Sequence, residues 1–343
     1  MKKQTKRLCG ILLLLLLIGG GAVGYTLYKT FFTPMFAGDT VHLYIDADDD
    51  IDSVYHAIED QFPVRSMAGF KWLSDHYGYA GNIRTGHYSF TSSDNVRTVF
   101  RKLSAGWQTP GKLVVPSVRT IGQMAKRLSE QLMIGEDEIL ALLNDTAYIR
   151  RMGYDSSTLP SLFIPNTYEV YWDLSAEQLL SRMQKEHDRF WNEERRNKAK
   201  ALGLTPVQVT TLASIVDEET AANAEKPIVA GLYLNRLRRG MLLQADPTVK
   251  FAMQDFTLRR ILNEHLKTDS PYNTYIHAGL PPGPIRIPSI KGIESVLTPA
   301  VHNYLYMCAK EDFSGTHNFA STLSQHNANA RRYRQALDKR GIR

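Results

Sequence analysis

The chain has 343 residues, 43% of them hydrophobic and 22% charged, which fits about two domains and excludes a mainly disordered chain. Its formal net charge is +6, of which Lys2, Lys3, Lys6 and Arg7 supply four, leaving +2 for everything after them. So neutral a body lacks the basic face on which nucleic-acid binding depends, and that class is set aside. The two cysteines, Cys9 and Cys308, have no Cys or His at zinc-ligand spacing and read as ordinary apolar side chains.

Leu8 to Tyr28 is a run of 21 residues without a charge. As a helix it would be about 31 Å long, close to the roughly 30 Å hydrocarbon core of a bilayer. The four basic residues ahead of it place the N-terminus in the cytoplasm and the rest outside, by the positive-inside rule. Ala22-Val23-Gly24 also fits a signal-peptidase site. Because Leu27 and the pair Tyr25 and Tyr28 carry the apolar run past that site, an uncleaved single-pass anchor in the inner membrane is expected.

A linker follows to Gly38. Val41–Ile45 alternates as a strand does. Asp46–Asp52 lacks the glycine and glutamate of a calcium loop, having Ile51 and Ala57 there, and reads as the aspartate-capped start of a helix that buries Val54, Ile58 and Ala57. Phe70–Leu73 reads as a second helix, Thr85–Phe90 as a strand, Val96–Leu103 as a helix and Leu113–Val115 as a strand. Ile121–Leu132 and Glu136–Leu143 read as helical connectors, and Pro165–Tyr168 as a loop entering a strand. The expected class is α+β: one transmembrane helix and linker over 1–38, a small α/β module over 39–115, a helical connector over 116–160 and a mixed α/β catalytic domain over 161–343.

The chemistry concentrates after Thr205. Thr205-Pro206-Val207-Gln208 has a threonine cap, a proline at the first helical position and a glutamine three after the cap. At 100° per residue, Leu212, Ile215, Val216 and Glu219 share one face, while Asp217 and Glu218 turn to the flanks. A carboxyl on an apolar stripe loses hydration, its pKa rises, and it can hold a proton near neutral pH, as a general acid for glycosidic cleavage must. The competing reading leaves Glu219 at an exposed helix end or paired with Arg236. A second helix starts at Pro227 and ends at Arg238-Arg239-Gly240. Beyond it lie the polar loop Gln244-Ala245-Asp246-Pro247-Thr248, then Tyr272-Asn273-Thr274-Tyr275 and Gly279-Leu280-Pro281-Pro282-Gly283-Pro284-Ile285. Aromatics set among amides and hydroxyls suit sugars; a strand edge and a rigid proline turn are the plainer alternatives.

Taken in order after one N-terminal anchor, Ala213–Thr220, Asn235–Thr248, the Tyr-Asn-Thr-Tyr segment and the Gly-Leu-Pro-Pro-Gly-Pro-Ile segment closely resemble the endolytic murein transglycosylase family, the YceG-like (MltG) proteins. The resemblance is strong from Ser214 onward; the first third is similar, by element order, to that family's LysM-like module. It implies Glu219 as the catalytic acid and Gln244, Asp246, Thr248, Tyr272, Asn273, Thr274 and Tyr275 as the substrate-binding set. It implies no metal or organic cofactor, peptidoglycan glycan strands as substrate, and peptidoglycan synthases as partners. Three positions depart from the family pattern: Asp217 replaces a glutamate, Asn166 an aspartate and Ser289 a glycine. His317 and His326 match the family's C-terminal histidines and are expected as caps or turn hydrogen bonds.

The implied reaction cleaves the bond between N-acetylmuramic acid and N-acetylglucosamine, leaves 1,6-anhydro-muramyl ends and terminates nascent strands. Its rivals are hydrolysis at the same site, with Asp246 as second acid, and a non-catalytic membrane-anchored glycan-binding scaffold. A serine hydrolase is disfavoured, because no Gly-x-Ser-x-Gly occurs.

Overall fold

The computed structural model describes residues 2–258 and 261–341, with side chains from Arg7 onward. The side chains of Lys2, Lys3 and Lys6 therefore lie outside the described residues. The chain divides into two compact units. Unit 1 is Met1–Lys112 with Glu169–Leu174; unit 2 is Leu113–Tyr168 with Ser175–Arg343.

Unit 1 begins with α1 (Lys2–Phe31), whose stretch Arg7–Phe31 is long and apolar enough to cross a membrane and is not buried against the protein. β1 (Val41–Ile45), α2 (Ile51–Gln61), α3 (Ala68–His76), β2 (Gly86–Phe90) and α4 (Val96–Ala105) follow. β1 and β2 pair antiparallel, Val41 opposite Phe90 and Ile45 opposite Gly86. Period-2 alternation turns Leu43 and Ile45 inward. They join Val54 and Ile58 of α2, Phe70 of α3 and Val99 and Leu103 of α4 in one core. Asp50 caps α2 by accepting from Ser53 N at 2.8 Å, while Ala57 is only partly buried. Within this unit Asp173 accepts from Thr85 Oγ1 at 2.9 Å and from Gln108 Nε2 at 2.8 Å.

β3 (Gly111–Val115) leads into unit 2, which continues with α5 (Ile121–Ser129), α6 (Glu136–Asn144), α7 (Thr146–Arg151) and β4 (Asn166–Val170). β3 and β4 form a two-stranded sheet. Then come α8 (Ala176–Phe190), α9 (Glu193–Ala201), α10 (Pro206–Glu219), α11 (Lys226–Arg238), α12 (Asp246–Met253) and α13 (Ile290–Leu297). The hairpin of β5 (Tyr306–Ala309) and β6 (His317–Ala320) and the long α14 (Leu323–Lys339) complete it.

The centre of unit 2 is the packing of α10, α11 and α13 on one another. α10 starts as its sequence dictates: Thr205 Oγ1 accepts from Gln208 N at 3.2 Å and Gln208 Oε1 from Thr205 N at 2.9 Å. Two otherwise orphaned donors are thereby satisfied. The expected apolar stripe, however, is a helix buried all round from Val209 to Val216. Its polar residues fit because each hydroxyl has a local acceptor. Thr210 donates to Pro206 O, Thr211 to Val207 O and Ser214 to Thr211 O. Ser214 Oγ also accepts from Ile285 N at 3.0 Å, which fixes the proline-rich segment against this helix.

One local expectation is corrected, and one alternative falls away. Asp246-Pro247-Thr248 is the first turn of α12 rather than loop, because Pro247 supplies a helical φ where no N–H is needed. Tyr272–Tyr275 is a turn, not a strand edge.

A Cβ at Gly283 would lie 1.9 Å from the backbone oxygen of Ser157, which cannot move without moving its chain segment. Gly283→Ala should therefore destabilise unit 2 by roughly 2–4 kcal/mol, read as a lower melting temperature than that of the native chain.

Candidate active site

α10 ends in three consecutive carboxylates, and helical rotation sends each to a different partner. Asp217, its side chain only 4% exposed, pairs with Lys226 Nζ at 2.8 Å, and it also accepts from Ser289 N at 2.6 Å. Glu218 takes a bidentate pair from Arg119, at 2.8 and 2.9 Å, and a third bond from Arg286 at 3.0 Å. Both flanks meet cations, and both acids are spent on structure. Glu219, the last helical residue, accepts one hydrogen bond, from Tyr233 Oη of α11 at 2.6 Å.

Glu219 opens into a cavity of about 270 Å³ lined also by Tyr233, Arg236, Gln244, Asp246 and Tyr275, with Met307, Cys308 and Ala309 of β5 and His317 of β6 forming a further wall. That volume is just below the roughly 300–1,000 Å³ usual for small-molecule clefts. Burial pushes the Glu219 carboxyl up to about 7, Asp246 and Glu218 push in the same direction, and Tyr233 and Arg236 oppose it. Its place at the C-terminal, negative end of α10 is a further reason for this residue to resist ionisation. Tyr233 is itself pushed well above the ordinary phenol value, first by burial and then by the adjacent carboxyl.

Arg236 does not pair with Glu219. It is buried and donates to backbone oxygens, to Leu305 O at 2.6 Å and Leu243 O at 2.8 Å, with a long contact to Gln244 Oε1 at 3.4 Å. Gln244 sits at φ 48°, in the left-handed region that a non-glycine residue occupies at a cost. Thr274 O holds it there by accepting from Gln244 N at 3.0 Å. Tyr275 donates to Asp246 Oδ1 at 2.5 Å.

The residues expected to bind substrate therefore separate into two groups. Gln244, Asp246 and Tyr275 face the cavity with Glu219. Thr248, Asn273 and Thr274 are buried and do not line it. Thr248 donates to Ala245 O at 2.7 Å, and its hydroxyl lies 2.9 Å from that of Thr274, which accepts from Ala245 N. Asn273 Nδ2 donates to Leu266 O and Thr268 O. With their hydrogen-bonding groups committed to the frame, these three hold the loop that carries Gln244 and Asp246. Tyr272 packs on Phe251, with ring centroids 4.7 Å apart, and lies outside the cavity.

The histidine expectations also change. His317 is a strand residue on the cavity wall; its Nδ1 lies 3.0 Å from Glu225 Oε2, and its backbone N donates to Glu225 Oε1. His326 lies within α14 and stacks on Tyr306. Among the departures from the family pattern, Ser289 caps α13 through Gly292 N and binds Asp217, whereas the Asn166 side chain accepts from the neighbouring Thr167 N. Tyr233 had gone unread, although a tyrosine in a helix apolar on every side needs a partner for its hydroxyl.

The sequence model of the YceG-like family matches residues 43–332. The chain belongs to the YceG-like family. The endolytic murein transglycosylase of Bacillus subtilis is 26% identical over 335 residues, spanning 92% of this chain and 91% of that one. A protein of the same description from Streptococcus pneumoniae serotype 2 is 23% identical over 351 residues, spanning 93% of this chain and 63% of that one. The crystal structure of a yceG-like protein from Listeria monocytogenes aligns with a TM-score of 0.57 at 26% identity, covering 85% of this chain and 99% of that one.

The Tyr233 hydrogen bond stabilises the ionised form of Glu219. Tyr233→Phe should therefore move the alkaline limb of any activity that needs protonated Glu219 to higher pH, measured as a pH–rate profile. A carboxyl at about 7 in the folded chain, against 4.5 ordinarily, costs stability as pH rises through that window. Glu219→Gln should melt higher than the native chain at pH 8, by roughly 1–3 kcal/mol in stability, and show no such gain near pH 4.

Proposed function

We propose that this chain is an endolytic peptidoglycan lytic transglycosylase. The observation that carries the reading is one carboxyl, held neutral up to about pH 7 by burial, opening into a cavity of hydrogen-bonding side chains. The family relationship and the activity named for the Bacillus and Streptococcus relatives support it. Protonated Glu219 gives its proton to the oxygen linking N-acetylmuramic acid to N-acetylglucosamine, and the C1–O bond breaks. The resulting carboxylate takes the proton of the muramyl C6 hydroxyl as that oxygen bonds to C1, closing a 1,6-anhydro ring and restoring the acid. No water enters, so one acid suffices. Gln244, Asp246 and Tyr275 orient the sugar, and Thr248, Asn273 and Thr274 position them from behind; Tyr272 extends the contact surface outside the cavity.

The same reading makes α1 a single pass through the inner membrane, N-terminus in the cytoplasm, and places the body outside, where it ends nascent strands beside peptidoglycan synthases. The strand–helix–helix–strand order of β1, α2, α3 and β2 supports a LysM-like glycan-reading role for unit 1. Hydrolysis is the second reading, because Asp246 brings another carboxylate to the same cavity.

Mass spectrometry of products from purified peptidoglycan distinguishes these readings. Anhydro-muramyl ends are expected from the native chain, with Glu219→Gln slower by about 10²–10⁴-fold. Reducing ends would transfer the assignment to hydrolysis. Cells in which Glu219→Gln fully replaces the native chain would favour a scaffold.

A further inference from the structure

A second cavity in unit 2, about 530 Å³, is lined by the two arginines that reach Glu218 of α10, Arg119 and Arg286. Arg119, Lys126, Arg127 and Arg286 line it, with Glu130 the one acid in that lining. Arg119 and Arg286 converge on Glu218, and Arg286 is further held by Ser117 Oγ at 2.9 Å. Arg286 Nε is buried with no hydrogen-bond partner among the described residues. Arg127 pairs with Glu130 at 3.0 Å, and Lys126 has no acidic partner among the described residues. Four cations thus face Glu218 and Glu130, an excess of two, as large as the net charge of the whole chain after Arg7.

This groove adjoins the active site. Arg119 also lines a small cavity with Glu218 and Pro247, the direct neighbours of Glu219 and Asp246. Phe256 lies under the Arg119 guanidinium at 5.5 Å and steadies it. Arg119, at one edge of the groove, thus bonds the residue that directly precedes Glu219 in α10. A peptidoglycan strand carries a short peptide on each muramic acid, and that peptide bears free carboxylates. An extended stem reaches roughly 3.4 Å per residue, and the path the proposal gives it runs past Glu218 to Arg119. Arg119 gives Nε and Nη2 to Glu218, so a carboxylate in the groove would be met by its Nη1, by the remaining donors of Arg127 and by the Lys126 ammonium, as charge-assisted hydrogen bonds.

We propose that the groove of Arg119, Lys126, Arg127 and Arg286 binds the carboxylates of the stem peptide and so makes the enzyme prefer peptide-bearing over naked glycan. The proposal rests on the function proposed above, and its test includes a readout that needs no turnover. Lys126 and Arg127 are exposed and make no bond to Glu218, so Lys126→Glu/Arg127→Glu alters the groove without removing a partner of the α10 acids.

Binding of the free tripeptide L-Ala-γ-D-Glu-L-Lys to the full chain in neutral detergent would be measured by calorimetry. The native chain should bind it, more weakly as salt rises, and at least about fivefold more tightly than the double variant. The peptide with its carboxylates amidated should not bind. With glycan as substrate, the ratio of turnover on peptide-bearing strands to that on strands stripped of peptide should exceed one in the native chain and fall toward one in the variant. Equal affinity of native and variant chains, or no binding, overturns the proposal; so does binding of phosphatidylglycerol vesicles through these residues without binding of the peptide. Tripeptide binding with no cleavage of either glycan would uphold the groove and sink the activity instead.

Discussion

Three carboxylates stand in a row at the end of one helix, and the helix leaves them about 100° apart with no common solvent face. The fold of unit 2 is arranged around giving each one a separate destination. Asp217 is neutralised by Lys226 and locked to the cap of α13. Glu218 draws in Arg119 from the segment before α5 and Arg286 from beyond the proline-rich turn, tying distant parts of the chain to the helix end. Glu219 is given a phenol instead of a cation, which satisfies one oxygen without neutralising its charge. An arginine in place of Tyr233 would favour the ionised form and abolish the acid. The two structural acids also serve the third by consuming the nearby cations.

Arg236 shows the same economy from the other direction. Its guanidinium is close enough to restrain the rise of the Glu219 pKa, yet it is bonded to main-chain oxygens of Leu305, just ahead of β5, and of Leu243 in the cavity wall. The cation thereby shapes the cavity and tunes its field while leaving the acid protonatable. Gln244, in a backbone conformation unfavourable to it, is held by the same wall and by Thr274. Strain at that position is sustained by the buried threonine pair, so residues that do not line the cavity matter for one that does.

Much of this was legible where the determinants are local. The capping box at Thr205, the prolines at 206 and 227 and the glycine at 240 gave the two central helices their ends, and helix phase singled out Glu219 from its neighbours. The β5–β6 hairpin was not legible: its residues are nearly all half-buried, without the period-2 alternation that announces a strand. Thr248, Asn273 and Thr274 were read by residue type, and hydroxyls and amides that suit sugars are equally suited to stapling two loops. Tyr233 and Lys226 were missed because their meaning lies in a partner on another helix, which no spacing rule reports.

The excursion Glu169–Leu174 leaves unit 2 for six residues and returns to it. It carries Asp173, the acceptor for Thr85 and Gln108 of unit 1. The first unit is consequently not complete when its last contiguous residue has been made; it waits for a segment some sixty positions later. In a chain delivered from its N-terminus onward, the early unit stays open until Leu113–Tyr168 of the later one has emerged. A cut placed at the apparent boundary near Lys112 would release an incomplete module rather than a domain.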